Sequence, residues 1–269
     1  MTSSTPASIT TEEQPTWLRD TLTVLITTRH RFGSLTACVN SAIARAGRPI
    51  NIVIGFDDDT EGFNACPGWA NVGKVLLQPR HYYTRAVNQL FWTAQGSLRN
   101  FDHFLLVNDD VLFVKDNWAI EAMLRLHAAF PEGMGVLELY EEKLCSHYIS
   151  RARVFNTHYN GLLADMRYTH YFSDSALRHH LDEIGLFASV GGGILDNRLI
   201  VHQYAQDSLR NANLVWRPFD MHLFRTECKK HDWDDFLPYD TSRINQASIE
   251  DTAPATVAIN EEEEKLSNA

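Results

Sequence analysis

Two rhythms of hydrophobic positions alternate along the first half of the chain. Thr23-Val24-Leu25-Ile26-Thr27-Thr28 is a short β-branched run, the pattern of a buried strand. Leu35, Val39, Ala42, Ile43 and Ala46 then fall on one helical stripe, with Ser34 placed to cap the helix and Gly47 to stop it. Ile50 to Phe56 predicts a second strand and Lys74 to Leu77 a third. A helix from about Thr84 turns Val87, Leu90, Phe91 and Ala94 inward and stops at Gly96. Phe104 to Val107 is a fourth strand, a helix follows from about Asp116 to Phe130 with Pro131 ending it, and Gly135 to Leu139 is a fifth strand.

Strands alternating with helices in this way predict an α/β fold, a mostly parallel central sheet flanked by helices. Ligands of such sheets sit beyond the carboxyl ends of the strands. The ends of the chain depart from the rhythm. Residues 1–16 are polar and predict a disordered segment, and residues 244–269 predict an acidic disordered tail finishing in Glu261 to Glu264. The span 17–243 between them reads as one domain.

Composition narrows the classes. At 269 residues and 44% hydrophobic, the chain is long and apolar enough for a substantial core. A formal charge of -10 argues against nucleic acid as a partner. Four widely separated cysteines form no Cys-x-x-Cys pair, which disfavours a zinc site or disulfide framework and suits a reducing, cytoplasmic setting. The Ser/Thr-rich start has no apolar core of a secretory signal, and no apolar run approaches the ~20 residues of a membrane span.

Asp57, Asp58 and Asp59 follow the second strand, and Asn108, Asp109 and Asp110 follow the fourth. Crowded carboxylates repel unless a cation or hydrogen-bond donors offset them. Either cluster alone suits a solvated turn. Two on one sheet edge suit a hard divalent cation, magnesium or manganese, which takes oxygen ligands and leaves positions for phosphate.

Val24 to Arg31, with Thr27-Thr28-Arg29-His30-Arg31, followed by Ile52 to Asp58, resembles the opening of the family 2 glycosyltransferases of GT-A fold. Tyr83 to Asn88 and Leu105-Leu106-Val107-Asn108-Asp109-Asp110, followed by Trp118, resemble that family's donor helix and its Asp-x-Asp metal motif. The resemblance implies a GT-A-like fold, with a Rossmann-like nucleotide-binding half over about 20–118 and an acceptor-binding half over about 119–243. It implies that Thr28, Arg31, Asp57, Asp58, Arg85, Asn88, Asn108 and Asp109 face a nucleotide-sugar donor, a UDP-sugar by preference. Asp110 is then the metal ligand, since Asn108 brings no charge where Asp-x-Asp has its first carboxylate.

Gly161 to Asp165 and Tyr171-Phe172-Ser173-Asp174-Ser175-Ala176-Leu177 resemble a second signature of the same family. There Asp174 stands at the catalytic base, with Ser173 and Ala176 replacing two acidic neighbours. Capping the following helix is its other reading. His202, in the strand-like Leu199 to Gln203, resembles a histidine that completes the metal shell, and simple packing is its alternative. Gly191-Gly192-Gly193 reads as a flexible turn or lid hinge, and Lys229 and Lys230 as diphosphate contacts or solvated charges.

The function so implied is an inverting, metal-dependent transfer of a sugar from a nucleotide diphosphate to an acceptor hydroxyl. That acceptor is a glycan, a lipid-linked glycan or a modified macromolecule. Two alternatives stand beside it. One is a non-catalytic nucleotide-sugar-binding module, kept open by Asn108, Ser173 and Ala176. The other is a sugar nucleotidyltransferase, against which the absence of glycine in Thr27 to Arg31 argues.

Overall fold

The computed structural model describes residues 16–140, 144–190, 198–203 and 212–233. Leu22–Thr28 forms β1, Ile50–Asp57 β2, Val72–Leu77 β3 and His103–Asn108 β4. Helix α1 (Phe32–Arg45) joins β1 to β2, the short α2 (Thr60–Ala65) joins β2 to β3, and α3 (Tyr82–Ser97) joins β3 to β4. Beyond β4 the elements shorten: β5 (Val111–Phe113), α4 (Trp118–Ala129), β6 (Val136–Glu138), β7 (Tyr148–Arg151) and α5 (Ala152–His158). Then come α6 (Ser173–Glu183), β8 (Phe187–Ser189), β9 (Ile200–His202) and α7 (Arg217–His231).

Seven strands make one sheet in the order β3-β2-β1-β4-β7-β6-β8. The pairs β1–β2, β1–β4, β2–β3 and β6–β8 are parallel, and β7 runs against both its neighbours. This is the α/β fold with a mostly parallel central sheet that the alternating rhythm predicts. Leu22, Val24, Ile26, Ile52, Ile54, Leu105 and Val107 are buried on one face against Leu35, Val39 and Ala42 of α1 and Ala119, Met123 and Leu126 of α4. Leu25, Phe104 and Leu106 face the other way, against Val87, Leu90, Phe91 and Ala94 of α3.

The order places β2 and β3 on one side of β1 and β4 on the other, so the chain reverses direction across the sheet between β1 and β4. A crevice opens at such a switch point, outside the carboxyl ends of the strands. Register brings Thr27 opposite Asn108, so Thr28 and Asp109 leave the sheet side by side.

Four local expectations need correction. Ser34 is not a cap, because α1 starts at Phe32 and Arg31 holds the cap position without a side-chain bond. Ile43 lies on the exposed side of α1. Gly96 does not stop α3, which runs to Ser97; an apolar contact surface overrides the weak preference of one glycine. Asp174 is not the cap of α6, since Phe172 occupies that position in a left-handed conformation and Asp174 sits in the first turn. The antiparallel β7 and the two-stranded β5–β9 ribbon were not expected. Gly191 to Gly193 and the two chain ends lie outside the described residues.

Candidate active site at the β1–β4 switch point

The centre of the candidate site is built by three strand exits. Thr28, the last residue of β1, donates its hydroxyl to Asp109 Oδ2 at 2.7 Å. Arg31 reaches the same carboxylate, its Nη1 lying 3.3 Å from Asp109 Oδ1 and 3.7 Å from Asp110 Oδ2. Burial pushes the Asp109 carboxyl up to about 6, against the pull of Arg31 and Thr28. Asp109 thus locks β1 to β4 across the switch point.

Asp110 is held differently. Right after it the chain enters β5, which pairs antiparallel with β9, Val111 lying opposite His202. That ribbon carries His202 to Asp110 across 92 residues of sequence, with Nε2 2.8 Å from Oδ1. The main chain reinforces the junction, Gln203 N–H donating to the Asp110 carbonyl at 2.8 Å. Burial pushes the Asp110 carboxyl up, but the hydrogen bond and charge of His202, with Arg31 behind them, outweigh it and hold the group below the usual carboxylate range.

Behind His202 lies His147, whose ring is fully buried and meets the His202 ring edge-on at 4.7 Å between centroids. Neither of its ring nitrogens has a hydrogen-bond partner, an uncommon state for a buried polar group. Burial, followed by His202, pushes the imidazole down to about 4. Glu138, at the end of β6, fixes the turn into β7 by accepting from Tyr140, Ser146 and His147 N–H groups at 3.1, 2.8 and 3.0 Å.

These residues fit a divalent cation. Asp110 supplies a carboxylate and His202 an imidazole. Their 2.8 Å separation is close to the roughly 3 Å between adjacent ligands of an octahedral ion with bonds of about 2.1 Å. The orphaned nitrogens of His147 lie next to them.

The aspartates after β2 are engaged with main chain instead. Asp57 accepts from His81 and Tyr82 N–H at 2.6 and 3.1 Å, fixing the start of α3. Asp59 caps α2 through Gly62 N–H at 2.9 Å and also accepts from His30 N–H at 2.7 Å. Asp58 is exposed, with a 4.0 Å ion pair to Arg29. Asn88 is fully buried in α3, its Nδ2 donating to Ala164 O and its Oδ1 accepting from Leu163 and Ala164 N–H. It clips α3 to the second half of the chain. Arg85 is exposed on α3, and no ion pair among the described residues brings it to the cluster. Asn108 ends β4 half-buried, its carbonyl meeting Cys38 Sγ at 3.8 Å.

In the second half of the chain Asp174 is half-buried, its Oδ1 accepting from Ser175 N–H at 2.9 Å. Burial, then Glu138, then Asp174 push the Cys145 thiol up, so Asp174 lies within electrostatic reach of a residue two positions from His147. The loop before it is fixed by Asp220 of α7, which is buried and accepts from Thr169, His170 and Tyr171 N–H at 2.9, 2.8 and 2.8 Å. Near this loop Arg80 donates to Asn213 Oδ1 at 2.5 Å, and Asn213 Nδ2 lies 3.3 Å from His170 Nε2. Burial, then Arg80, then Arg31 push His170 down to about 4. Lys229 and Lys230 are exposed at the far end of α7, Lys230 lying 3.9 Å from Glu227.

His147, Asp220, Glu138, Arg80 and Asn213 went unrecognised as site residues in the sequence. His147 left one signal, a histidine directly before the strand-like Tyr148-Ile149-Ser150. The carboxylates Asp220 and Glu138 left none, because a brace is defined by the amides that reach it.

No family model and no curated protein sequence matches the chain. Solved structures do resemble it. The mannosyltransferase PcManGT from Pyrobaculum calidifontis, solved with GDP-Man and Mn2+, aligns with TM-score 0.57 at 11% identity, over 81% of this chain and 66% of that one. S. aureus TarS 1-349 in complex with UDP-GlcNAc aligns with TM-score 0.53 at 13% identity, over 80% of this chain and 68% of that one. A longer TarS structure is covered over only 41% of its length. At these identities the likeness is one of architecture: the chain has the GT-A-like α/β fold of these glycosyltransferases.

Proposed function

We propose that this protein is a family 2 glycosyltransferase that moves a sugar from a nucleotide diphosphate to an acceptor hydroxyl with inversion. The observation that carries the reading is the meeting of Thr28, Arg31, Asp109, Asp110 and His202 at the switch point of a GT-A-like sheet. The ligands of the similar structures, GDP-Man with Mn2+ and UDP-GlcNAc, support a nucleotide-sugar donor, and a UDP-sugar is the preferred one. Four free, buried cysteines support a reducing, cytoplasmic setting. No helix among the described residues is long and apolar enough to cross a membrane.

In this mechanism Asp110 and His202 hold the cation, manganese or magnesium. When bound, it supplies Lewis-acid neutralisation of the leaving diphosphate. Arg31, 3.7 Å from Asp110, adds positive charge beside the cation. Thr28 and Asp109 keep β1 and β4 in register so that these groups stay preorganised. The base is Asp174, which takes the acceptor proton as the hydroxyl attacks the anomeric carbon. Asp220 positions it by fixing the loop that starts α6.

A binding module without turnover is the second reading. It is favoured by the full engagement of Asp57 and Asn88 with backbone groups, which leaves fewer side chains for a donor. Donor hydrolysis or transfer in vitro eliminates it.

The deciding experiment is a thermal melt with UDP, GDP, dTDP and CDP, each with and without manganese. A ligand at ~100 times its dissociation constant stabilises by about 2.7 kcal/mol, roughly 5–10 °C for a domain of this size. The expected result is a shift with one nucleotide that needs manganese and disappears in Asp110→Ala. No shift with any pair, or a shift indifferent to Asp110, overturns the donor site.

A further inference from the structure

At the other end of β4, roughly 16 Å along the strand from Asn108 at about 3.3 Å per residue, lies a second group of acidic and imidazole side chains. Asp20 precedes β1, Asp102 precedes β4, and His103 opens it. His103 is fully buried, and its Nδ1 lies 3.5 Å from Asp20 Oδ2 and 3.7 Å from Asp102 Oδ2. Neither contact is a hydrogen bond, and Nδ1 has no hydrogen-bond partner.

The opposite face of the ring explains why. His103 Nε2 meets His127 Nε2 at 3.1 Å, and His127 Nδ1 meets the Pro131 carbonyl at 3.2 Å. A carbonyl only accepts, so His127 Nδ1 carries the proton and its Nε2, in the neutral ring, is an acceptor. His103 Nε2 must then be the donor, and His103 Nδ1 is left as a bare lone pair. Trp17 stacks on His127 at 3.9 Å and 7°, fixing that ring. In the neutral His103 ring the bare nitrogen faces the Asp20 and Asp102 carboxylates, and one ligand atom from each of the three residues lies within 4.8 Å of the other two, as the ligands of a single ion would.

We propose that Asp20, Asp102 and His103 form a binding site for a divalent transition-metal ion of the zinc class. Imidazole and carboxylate suit such an ion. Ligand bonds of 2.0–2.2 Å in a tetrahedron set the donors about 3.3–3.6 Å apart, which matches the 3.5 Å between His103 Nδ1 and Asp20 Oδ2. The second shell is also in place, because a ligating histidine donates its other N–H and so fixes its tautomer. Here that donation runs through His127 to Pro131. The two neighbouring guanidinium groups do not fill the site. Arg151 donates twice to Asp102 Oδ2, the oxygen that faces His103, at 2.9 and 2.7 Å, so Asp102 would hold the ion through Oδ1. Arg48 donates to the Asp20 carbonyl and the Met123 sulfur, not to the Asp20 carboxylate. A water would complete the shell. The ion would join the entries of β1 and β4 at the pole opposite the crevice, as a structural rather than a catalytic centre.

The test is equilibrium dialysis of the full chain against zinc, in an Asp110→Ala background that disables the cation site of the crevice. One zinc per chain is expected. Asp20→Asn, at a half-exposed position, should weaken binding by at least about tenfold, and His103→Gln should do the same. Cobalt in place of zinc should give visible bands of tetrahedral coordination, lost in both variants. Should His103→Gln fail to fold, Asp20→Asn decides alone. Failure to retain zinc, or retention with equal affinity in Asp20→Asn, overturns the site. Neither result bears on glycosyl transfer, which this proposal does not use.

Discussion

Asp57, at the exit of β2, accepts from the main-chain N–H groups of His81 and Tyr82, whereas Asp109 and Asp110, at the exit of β4, accept from the side chains of Thr28, Arg31 and His202. The two strands flank β1 in the same sheet, and in sequence the two acidic runs look alike. The difference lies in what each carboxylate would give up by turning to a ligand. Leaving a backbone amide orphans a donor that cannot move, at about 1–3 kcal/mol if it stays buried. Leaving a threonine, arginine or histidine frees a group that can rotate or rebind. Asp57, bonded to amides, is a brace, whereas Asp110, bonded to the His202 ring, is available for exchange with a cation, and Asp109 between them locks β1 to β4 through Thr28.

The hardest blow to this contrast comes from Asp110→Ala. If Asp110 is the exchangeable group, transfer falls by up to about a thousandfold, the scale of losing one preorganised charge-stabilising group, while the fold persists. Steady-state transfer with the donor found in the melts measures it. Activity within a few-fold of the parent would remove Asp110 from the chemistry and leave the β4 cluster as structural as the β2 cluster.

Asp174→Asn comes next. A general base contributes typically 10²–10⁴-fold, so kcat should drop by that factor while metal-dependent nucleotide binding stays at the parent level. Asn keeps an oxygen to accept from Ser175 N–H, so α6 should start normally. Equal loss of donor affinity in Asp110→Ala and Asp174→Asn would collapse the division between cation site and base.

Asp57→Ala addresses the brace. Two backbone donors lose their acceptor, and the expected cost is about 2 kcal/mol, a fall in Tm of roughly 4–8 °C. Differential scanning calorimetry reads it directly. An unchanged Tm with a lost nucleotide response would invert the comparison and make Asp57 the ligand-facing group that the family resemblance implies.

The comparison also explains what could be read in advance. The four parallel strands and the helices α1, α3 and α4 came through because their apolar periodicities, Val24 to Ile26 or Val87, Leu90 and Ala94, are set by local burial. The meeting of His202 with Asp110 was expected from resemblance alone. Its physical cause, pairing of Val111 with His202 in a three-residue ribbon, lies below what periodicity can register. Whether an aspartate braces or exchanges depends on amides far away in sequence, such as Tyr82 for Asp57 and Thr169 for Asp220. The acidic runs were therefore legible as positions and illegible as roles. The tautomer chain through His103 and His127 is still further from sequence, since it exists only once α4 packs against β4.

Asp58 is the residue on which the comparison is least decided, and its effect on stability should be the smallest. It is the exposed member of the β2 run, its backbone is left-handed at φ 55, and its ion pair to Arg29 is 4.0 Å long. Such surface pairs contribute about 0–1 kcal/mol. Alanine would add strain at positive φ, so glycine, which takes that conformation without a steric cost, is the cleaner substitution. Asp58→Gly should change stability by less than about 1 kcal/mol, within which the lost ion pair and the relieved backbone largely offset. Its nucleotide affinity then carries the information. A hydrogen bond from a ligand to a charged group is worth about 1.5–3 kcal/mol, so a donor-facing Asp58 would show at least about a tenfold weaker dissociation constant in titration calorimetry. An unchanged constant would make the whole β2 run a set of braces and turns, and confine ligand contacts of the acidic residues to β4. A weakened one would show that a carboxylate bound to neither amide nor buried partner is also free to act, which extends the rule from side-chain-bonded groups to exposed ones on the same edge.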